Sequence, residues 1–264
     1  MPANWVTSVR AALDARQTPV KIFFRDDDVG WDDQRLYALL DCFRAHQIPI
    51  DLAVIPQSIS QNLADALQSR WLCNPLLLGL HQHGFSHSNH ELEGRKCEFG
   101  SSRNHEQQFR DLLTGKQQLE QLLGSALDKI FTPPWNRCSQ VTADSLTQLG
   151  FLALSRNVGA ATINARGLQE IPVAIDWCGI KTKSAQPWPA ISQAITEHLQ
   201  QEHPEPLGIM LHHAVMDNDD LDHLQVLLQL LFQHPQADCR LMRELLSTSA
   251  GNQNTKFLDS MTIH

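Results

Sequence analysis

The sequence is poor in the features that mark several large protein classes. It has no run of about 18 consecutive apolar residues, so no segment reads as a membrane-spanning helix. Basic residues are in deficit, 21 lysines and arginines against 29 aspartates and glutamates, and the formal charge of −8 would be repelled by nucleic acid and by anionic membranes. The six cysteines, at 42, 73, 97, 138, 178 and 239, contain no C-x-x-C pair. They form neither a disulfide framework nor a cysteine zinc site, and read as reduced thiols. No repeat, low-complexity tract or Pro/Gly-rich linker divides the 264 residues. One domain is therefore expected over residues 1–264, with a core over about 20–248 and a polar C-terminal tail, SAGNQNTKFLDSMTIH. The N-terminal MPANWVTSVRAALDARQ reads as an amphipathic helix rather than the apolar core of an export signal, which makes the cytoplasm the expected location. Tyrosine occurs once, whereas histidine occurs 13 times.

What is present is an alternation of short apolar runs with helical periodicity. Strands are expected at 20–25, 49–55, 76–81, 129–132, 151–154, 171–175 and 207–212. Helices are expected near 33–46, 60–70, 104–123, 140–149, 187–201 and 219–234. Asn104 with Gln107 three residues on forms a capping-box pattern. Leu224, Leu227, Leu228 and Leu231 supply the last helix with an apolar stripe. Strands alternating with helices imply a parallel sheet with right-handed crossovers, and seven such units can close into an imperfect α/β barrel.

The chemically unusual residues follow the predicted strands. Strand one runs into RDDDVGWDD (25–33), strand three into HQHGFSHSNH (81–90) and strand four into TPPWNR (132–137). DWCG (176–179) and HHAVMD (212–217) follow the last two. In a parallel barrel these ends share one face, where barrel active sites assemble. An H-x3-H pair in a histidine-rich chain is common by chance. His83 and His87, however, share a strand-end loop with Gly84 that can turn both imidazoles toward one point. With a carboxylate from the 26–28 run they make three protein ligands and leave a position open, the arrangement of a catalytic metal site. Three adjacent aspartates cannot all stay ionised and crowded without a counter-charge. A metal would bind one and leave another as a base, while Asp32 or Asp33 caps the following helix.

These motifs, in this order, resemble the polysaccharide deacetylase family, the NodB-homology or carbohydrate esterase family four group, over residues 20–215. The resemblance implies an α/β fold, a distorted (β/α)7 barrel, and a metal-dependent hydrolase that removes an N-acyl group, acetyl first, from an amino sugar. RDDDV resembles the family's T-F-D-D-G motif, which implies Asp27 as catalytic base and Asp28 as metal ligand. HGFSH implies His83 and His87 as the other ligands of a divalent ion, zinc first. TPPW resembles R-x-P-Y and implies that Pro134 and Trp135 line the substrate, with the Trp135 N–H facing the oxyanion. Asp176 and Trp177 partly match D-x-x-D-W, and MLH implies His212 as general acid.

The pattern is incomplete. Thr132 stands where the family has the arginine that holds the catalytic aspartate, Val173 replaces the first aspartate of the fourth motif, and Val29 replaces a glycine. A substitute cation is expected from Arg25, Arg137 or Arg156. His213 beside His212, and Asp26 beside Asp27, leave both assignments open to a shift of one. Trp31, Trp135 and Trp177 are candidate walls for a sugar ring, with core packing as the competing reading. The expected partner is a small-molecule or oligosaccharide substrate carrying an N-acyl amino sugar, with no nucleic acid, and a role in cell-surface polysaccharide biosynthesis fits it. A metal-dependent hydrolase of a cyclic amide and a sugar-binding protein that has lost catalysis are the alternative readings.

Overall fold

In the computed structural model, which describes residues 4–164, 166–202 and 205–247, every strand pair is parallel. In chain order the strands are β1 (Val20–Val29), β2 (Ile50–Val54), β3 (Leu78–His83), β4 (Leu127–Thr132), β5 (Ala153–Leu154), β6 (Gln169–Glu170), β7 (Ile175–Asp176), β8 (Leu207–Leu211) and β9 (Ala237–Cys239). They lie side by side as β6-β5-β4-β3-β2-β1-β8-β7, with β9 added against the start of β1. The helices are α1 (Thr7–Asp14), α2 (Asp33–Ala45), α3 (Gln61–Cys73), α4 (His105–Leu123), α5 (Gln140–Gln148), α6 (Trp177–Lys183), α7 (Pro187–Leu199) and α8 (Asn218–Gln233). This is the expected distorted barrel.

The distortion has a local cause. The single strand expected at 171–175 is split, because Pro172 offers no N–H to a ladder. β6 pairs with β5 and β7 with β8, at opposite ends of the sheet. The intervening residues close the gap by single bonds to each side. Ile171 and Val173 donate to Leu154 and Arg156 carbonyls at 3.0 and 2.8 Å, and Ala174 donates to the Gly208 carbonyl at 2.9 Å.

β1 is buried along nearly its whole length, as a central parallel strand must be. Strand alternation sends Ile22 and Phe24 outward into the layer between sheet and helices, and Phe23 inward. Phe23, Ile130, Ala153, Ile171, Val173, Met210 and Met242 fill the lower barrel. The N-terminal end is plugged by the 3-10 turn Met242–Leu245, whose Met242 N–H donates to buried Asp51 at 2.9 Å. Above this apolar plug the interior becomes polar.

Local signals read from the sequence recur here. Asn104 and Gln107 form the capping box of α4, Asp32 accepts from Arg35 N at the start of α2, and the four α8 leucines are buried. Helix α6 was not expected, since its first residues belonged to a candidate motif. The expected C-terminal tail lies outside the described residues. Among the described residues no helix is long and apolar enough to cross a membrane.

Candidate active site

Alternation along β1 puts Arg25 and Asp27 on the interior face and Asp26 on the other. At Asp28 the alternation breaks. Its φ is 69°, and the β1–β2 register advances from Asp26↔Leu52 to Val29↔Val54, three steps on β1 against two on β2. This bulge re-aims one side chain, so Asp28 meets both candidate ligand histidines while Asp27 remains within reach of the charge of His83.

His83 ends β3, and His87 follows after a turn that needs Gly84. The φ of Gly84 is +56°, and a Cβ there would run into Glu98 and Pro134. His83 Nε2 and His87 Nε2 lie 3.2 and 3.0 Å from the same Asp28 oxygen, Oδ1. One donor atom from each of the three residues falls within 4.8 Å of the others. His83 Nδ1 lies 3.0 Å from the Thr132 carbonyl. Because a carbonyl only accepts, Nδ1 carries a proton, which leaves Nε2 as the atom a metal would take, in place of the proton it otherwise shares with Asp28. The edge of a tetrahedron with ligands about 2.1 Å from its centre is roughly 3.4 Å, close to the separations seen. The donor set therefore fits a divalent ion.

The electrostatics agree. Burial alone would raise the Asp28 carboxyl, but hydrogen bonds from His83 and His87 outweigh it and hold it far below the usual carboxylate range. Burial likewise opposes ionisation of Asp27, and the charges of Arg25, His83 and His212 overcome it to lower its pKa.

The substitute cation is Arg25. Its Nε donates to Asp27 Oδ1 at 2.8 Å and its Nη2 to Asp27 Oδ2 at 2.9 Å, a bidentate pair with no solvent exposure on the arginine. The same guanidinium donates to Ser155 Oγ and Asn136 Oδ1, both at 2.7 Å. Arg137 and Arg156 are engaged elsewhere, with Lys96 O and with Glu170 and Ala161 O. Relative to the family pattern, arginine and threonine have changed places: Arg25 occupies the threonine position of the first motif and Thr132 the arginine position of the third. Thr132 Oγ1 instead meets His81 Nε2 at 2.9 Å, and burial, with Arg25 nearby, brings the His81 pKa down to about 3.

The two neighbouring histidines separate by face. Met210 lines the interior, its sulfur 3.0 Å from Arg25 Nη2, and His212, two residues on, shares that side and acts electrostatically on Asp27 and Asp28. His212 Nδ1 is buried with no hydrogen-bond partner among the described residues. His213 points the other way. Its Nδ1 and backbone N–H both meet Asp26, at 2.6 and 2.8 Å, and its Nε2 donates to the Trp31 carbonyl at 2.6 Å. Burial disfavours the imidazolium, but Asp26 pushes its pKa up to about 9. Asp26 and His213 thus satisfy each other behind the interior face.

The aromatic candidates divide. Trp31, 40% exposed, and half-buried Trp135 both pack on His87, with ring centroids 4.8 and 4.5 Å away. Trp135 and Asn136 have φ of 56° and 57°, a left-handed turn held by the Arg25–Asn136 bond. Asp28, His87, Trp135 and Asn136 are four of the six non-glycine residues with positive φ among the described residues, and such costly conformations concentrate at functional sites.

Three expectations need correction. Trp177 is fully buried against Trp5 and Trp188, with its Nε1 donating to Asp220 at 3.0 Å, and offers no face to a sugar. Asp176 is occupied as the N-cap of α6, accepting from Gly179 N at 2.8 Å. Pro134 is buried against Gly84 and supports the histidine turn rather than facing a ligand. Sequence reasoning missed Asn136 and Ser155. Asn136 lies within the TPPWNR run and Ser155 in no motif, and the role of each is defined by its distance to Arg25.

The sequence matches no family profile and no curated protein. Solved structures do match. A Mycobacterium smegmatis structure described as a polysaccharide deacetylase superposes with a TM-score of 0.65 at 14% identity, covering 88% of this chain and 90% of that one. A family 4 carbohydrate esterase from Streptomyces lividans in complex with acetate gives 0.54 at 15% identity, covering 80% and 88%. A family 4 pseudoenzyme from Bacillus anthracis gives 0.54 at 10% identity, covering 81% and 62%. The chain has the fold of the polysaccharide deacetylases. Since a pseudoenzyme shares that fold, activity has to be argued from the site.

Proposed function

We propose that this chain is a metal-dependent hydrolase that removes an N-acyl group, acetyl first, from an amino sugar or a sugar-containing precursor. The observation that carries the reading is the convergence of Asp28, His83 and His87 on one point, beside an aspartate clamped by a buried arginine. Asp28, His83 and His87 would hold a divalent ion, for which two imidazoles and a carboxylate suit zinc. Such an ion, when bound, lowers the pKa of a coordinated water and polarises an acyl oxygen.

The chain's own groups supply the rest. Asp27, kept ionised and aimed by Arg25, takes the proton of the attacking water. The Trp135 backbone N–H, fixed by its left-handed turn, donates to the oxygen on which charge develops. His212, on the interior side, protonates the departing amine, a contribution of about 10² to 10⁴ in rate. Trp31 and Trp135 flank the metal ligands with flat apolar surface suited to a sugar ring.

A non-catalytic sugar binder is the competing reading, prompted by threonine at 132. The Arg25 clamp weakens it, because the aspartate retains the cation a base needs. The test is Asp27→Asn. Zinc content by elemental analysis should stay at the wild-type level while hydrolysis of N-acetylated sugars falls by orders of magnitude. Unchanged turnover would remove Asp27 from the role. A parallel panel of cyclic amides separates the sugar reading from a cyclic amidase, which would hydrolyse those instead.

A further inference from the structure

The turn between the two ligand histidines is held by a buried carboxylate that no motif includes. Glu98 is fully buried, and the hydrogen bonds of its carboxylate all serve residues 85 and 86. Oε1 accepts from Ser86 N at 2.7 Å and from Ser86 Oγ at 2.9 Å, and Oε2 accepts from Phe85 N at 3.2 Å. A buried carboxylate is costly unless fully partnered, and backbone N–H donors are among its strongest partners.

Three other backbone groups of this turn are also engaged. Gly84 N donates to Thr132 O at 3.0 Å, Gly84 O accepts from Gln82 Nε2 at 2.9 Å, and Phe85 O accepts from Gln57 N at 3.0 Å. Among the described residues, Glu98 is the side chain that grips the amides of residues 85 and 86. It is itself anchored. Phe99 is buried in an aromatic cluster with Phe131, Ser139 N bonds Phe99 O at 2.9 Å, and Gln108 Nε2 bonds Gly100 O at 3.0 Å. The core thus fixes Glu98, Glu98 fixes residues 85 and 86, and these fix the left-handed backbone of His87 (φ 57°).

From this geometry we infer that Glu98 is a positioning residue for metal binding, setting the spacing of His83 and His87 through the amides between them. It acts through the ligands and touches no substrate. The inference rests on the metal reading proposed above, and the experiment keeps the two apart.

The probe is zinc alone, with affinity measured by chelator competition on wild type, Glu98→Gln and Ser86→Ala, and Glu91→Gln as a control in the same loop. Removing a group that supports metal ligands costs about 10- to 100-fold in affinity. Glu98→Gln replaces one acceptor with an NH2 facing a backbone N–H, and should fall in that range. Ser86→Ala removes only the hydroxyl bond and should weaken zinc several-fold, and Glu91→Gln should leave it unchanged. The melting temperature of the metal-free proteins reports any general loss of stability. The visible spectrum of the cobalt-substituted variants should shift with altered ligand geometry, which a purely structural role would not produce. If Glu98→Gln fails to fold, Ser86→Ala decides alone. Affinity within twofold of wild type in the folded variants overturns the inference. Wild type that binds no stoichiometric zinc overturns the metal reading itself.

Discussion

Replacing Arg25 with methionine keeps the length of the side chain and deletes its charge. Five donations disappear: two to Asp27 and one each to Ser155, Asn136 and the Met210 sulfur. Ser155 retains its bond to the Ile171 carbonyl at 2.7 Å, so its share of the loss is small. Asn136 Oδ1 loses a charged donor in a buried setting, at a cost of about 1–3 kcal/mol. Asp27 is left as a buried carboxylate without its counter-ion, and breaking a buried pair in this way costs about 3–5 kcal/mol. The expected loss is therefore about 4–8 kcal/mol, less if Asp27 takes up a proton. The Arg25→Met/Asp27→Leu double variant leaves no orphan charge and should recover most of it, ending within about 2 kcal/mol of wild type. Urea unfolding of metal-free protein at pH 7, arranged as a double-mutant cycle, measures both quantities. A loss below about 1 kcal/mol in Arg25→Met, or a double variant that simply sums two losses, would refute the claim that the arginine and aspartate are one buried unit.

The His213–Asp26 pair should give stability a pH dependence. The folded pKa of about 9 lies above the ordinary 6.5, so the contribution is complete below pH 6.5 and is lost as pH rises through 9. Its size is on the order of 3 kcal/mol, and His213→Gln should flatten that part of the profile in a pH series of unfolding curves. Asp51, where burial holds the carboxyl well above the usual range, is favourable only while protonated. Asp51→Asn should therefore match wild type near pH 4 and exceed it by about 1 kcal/mol at pH 8; equal melting temperatures at both pH values would contradict this. His83→Ala and His87→Ala should each lose zinc by elemental analysis, since two remaining ligands hold the ion poorly.

Much of this protein is set by short-range pattern. Periodicity along the chain marked the helices, the capping box at Asn104 and the leucine stripe of α8, because each depends on neighbours within one or two turns. The order of the strand-end motifs carried the barrel, and alternation by two already put Arg25 on the same face as Asp27. Other features were open until the chain was folded. Arg25 was one of three eligible cations, and only the positions of Ser155 and Asn136 on other elements make it the one that pairs. The left-handed φ of Asp28 overrode alternation and brought consecutive aspartates to one site. The MLH motif pointed to His212 with a shift to His213 left open, and the two parted when Asp26 claimed His213. Trp177 looked like a wall for a sugar and is core, because helix α6 turns it toward Trp5. Glu98 carries no motif at all. Its role exists because a loop folds back on the histidine turn, and contacts between distant segments leave no periodic trace in a single sequence.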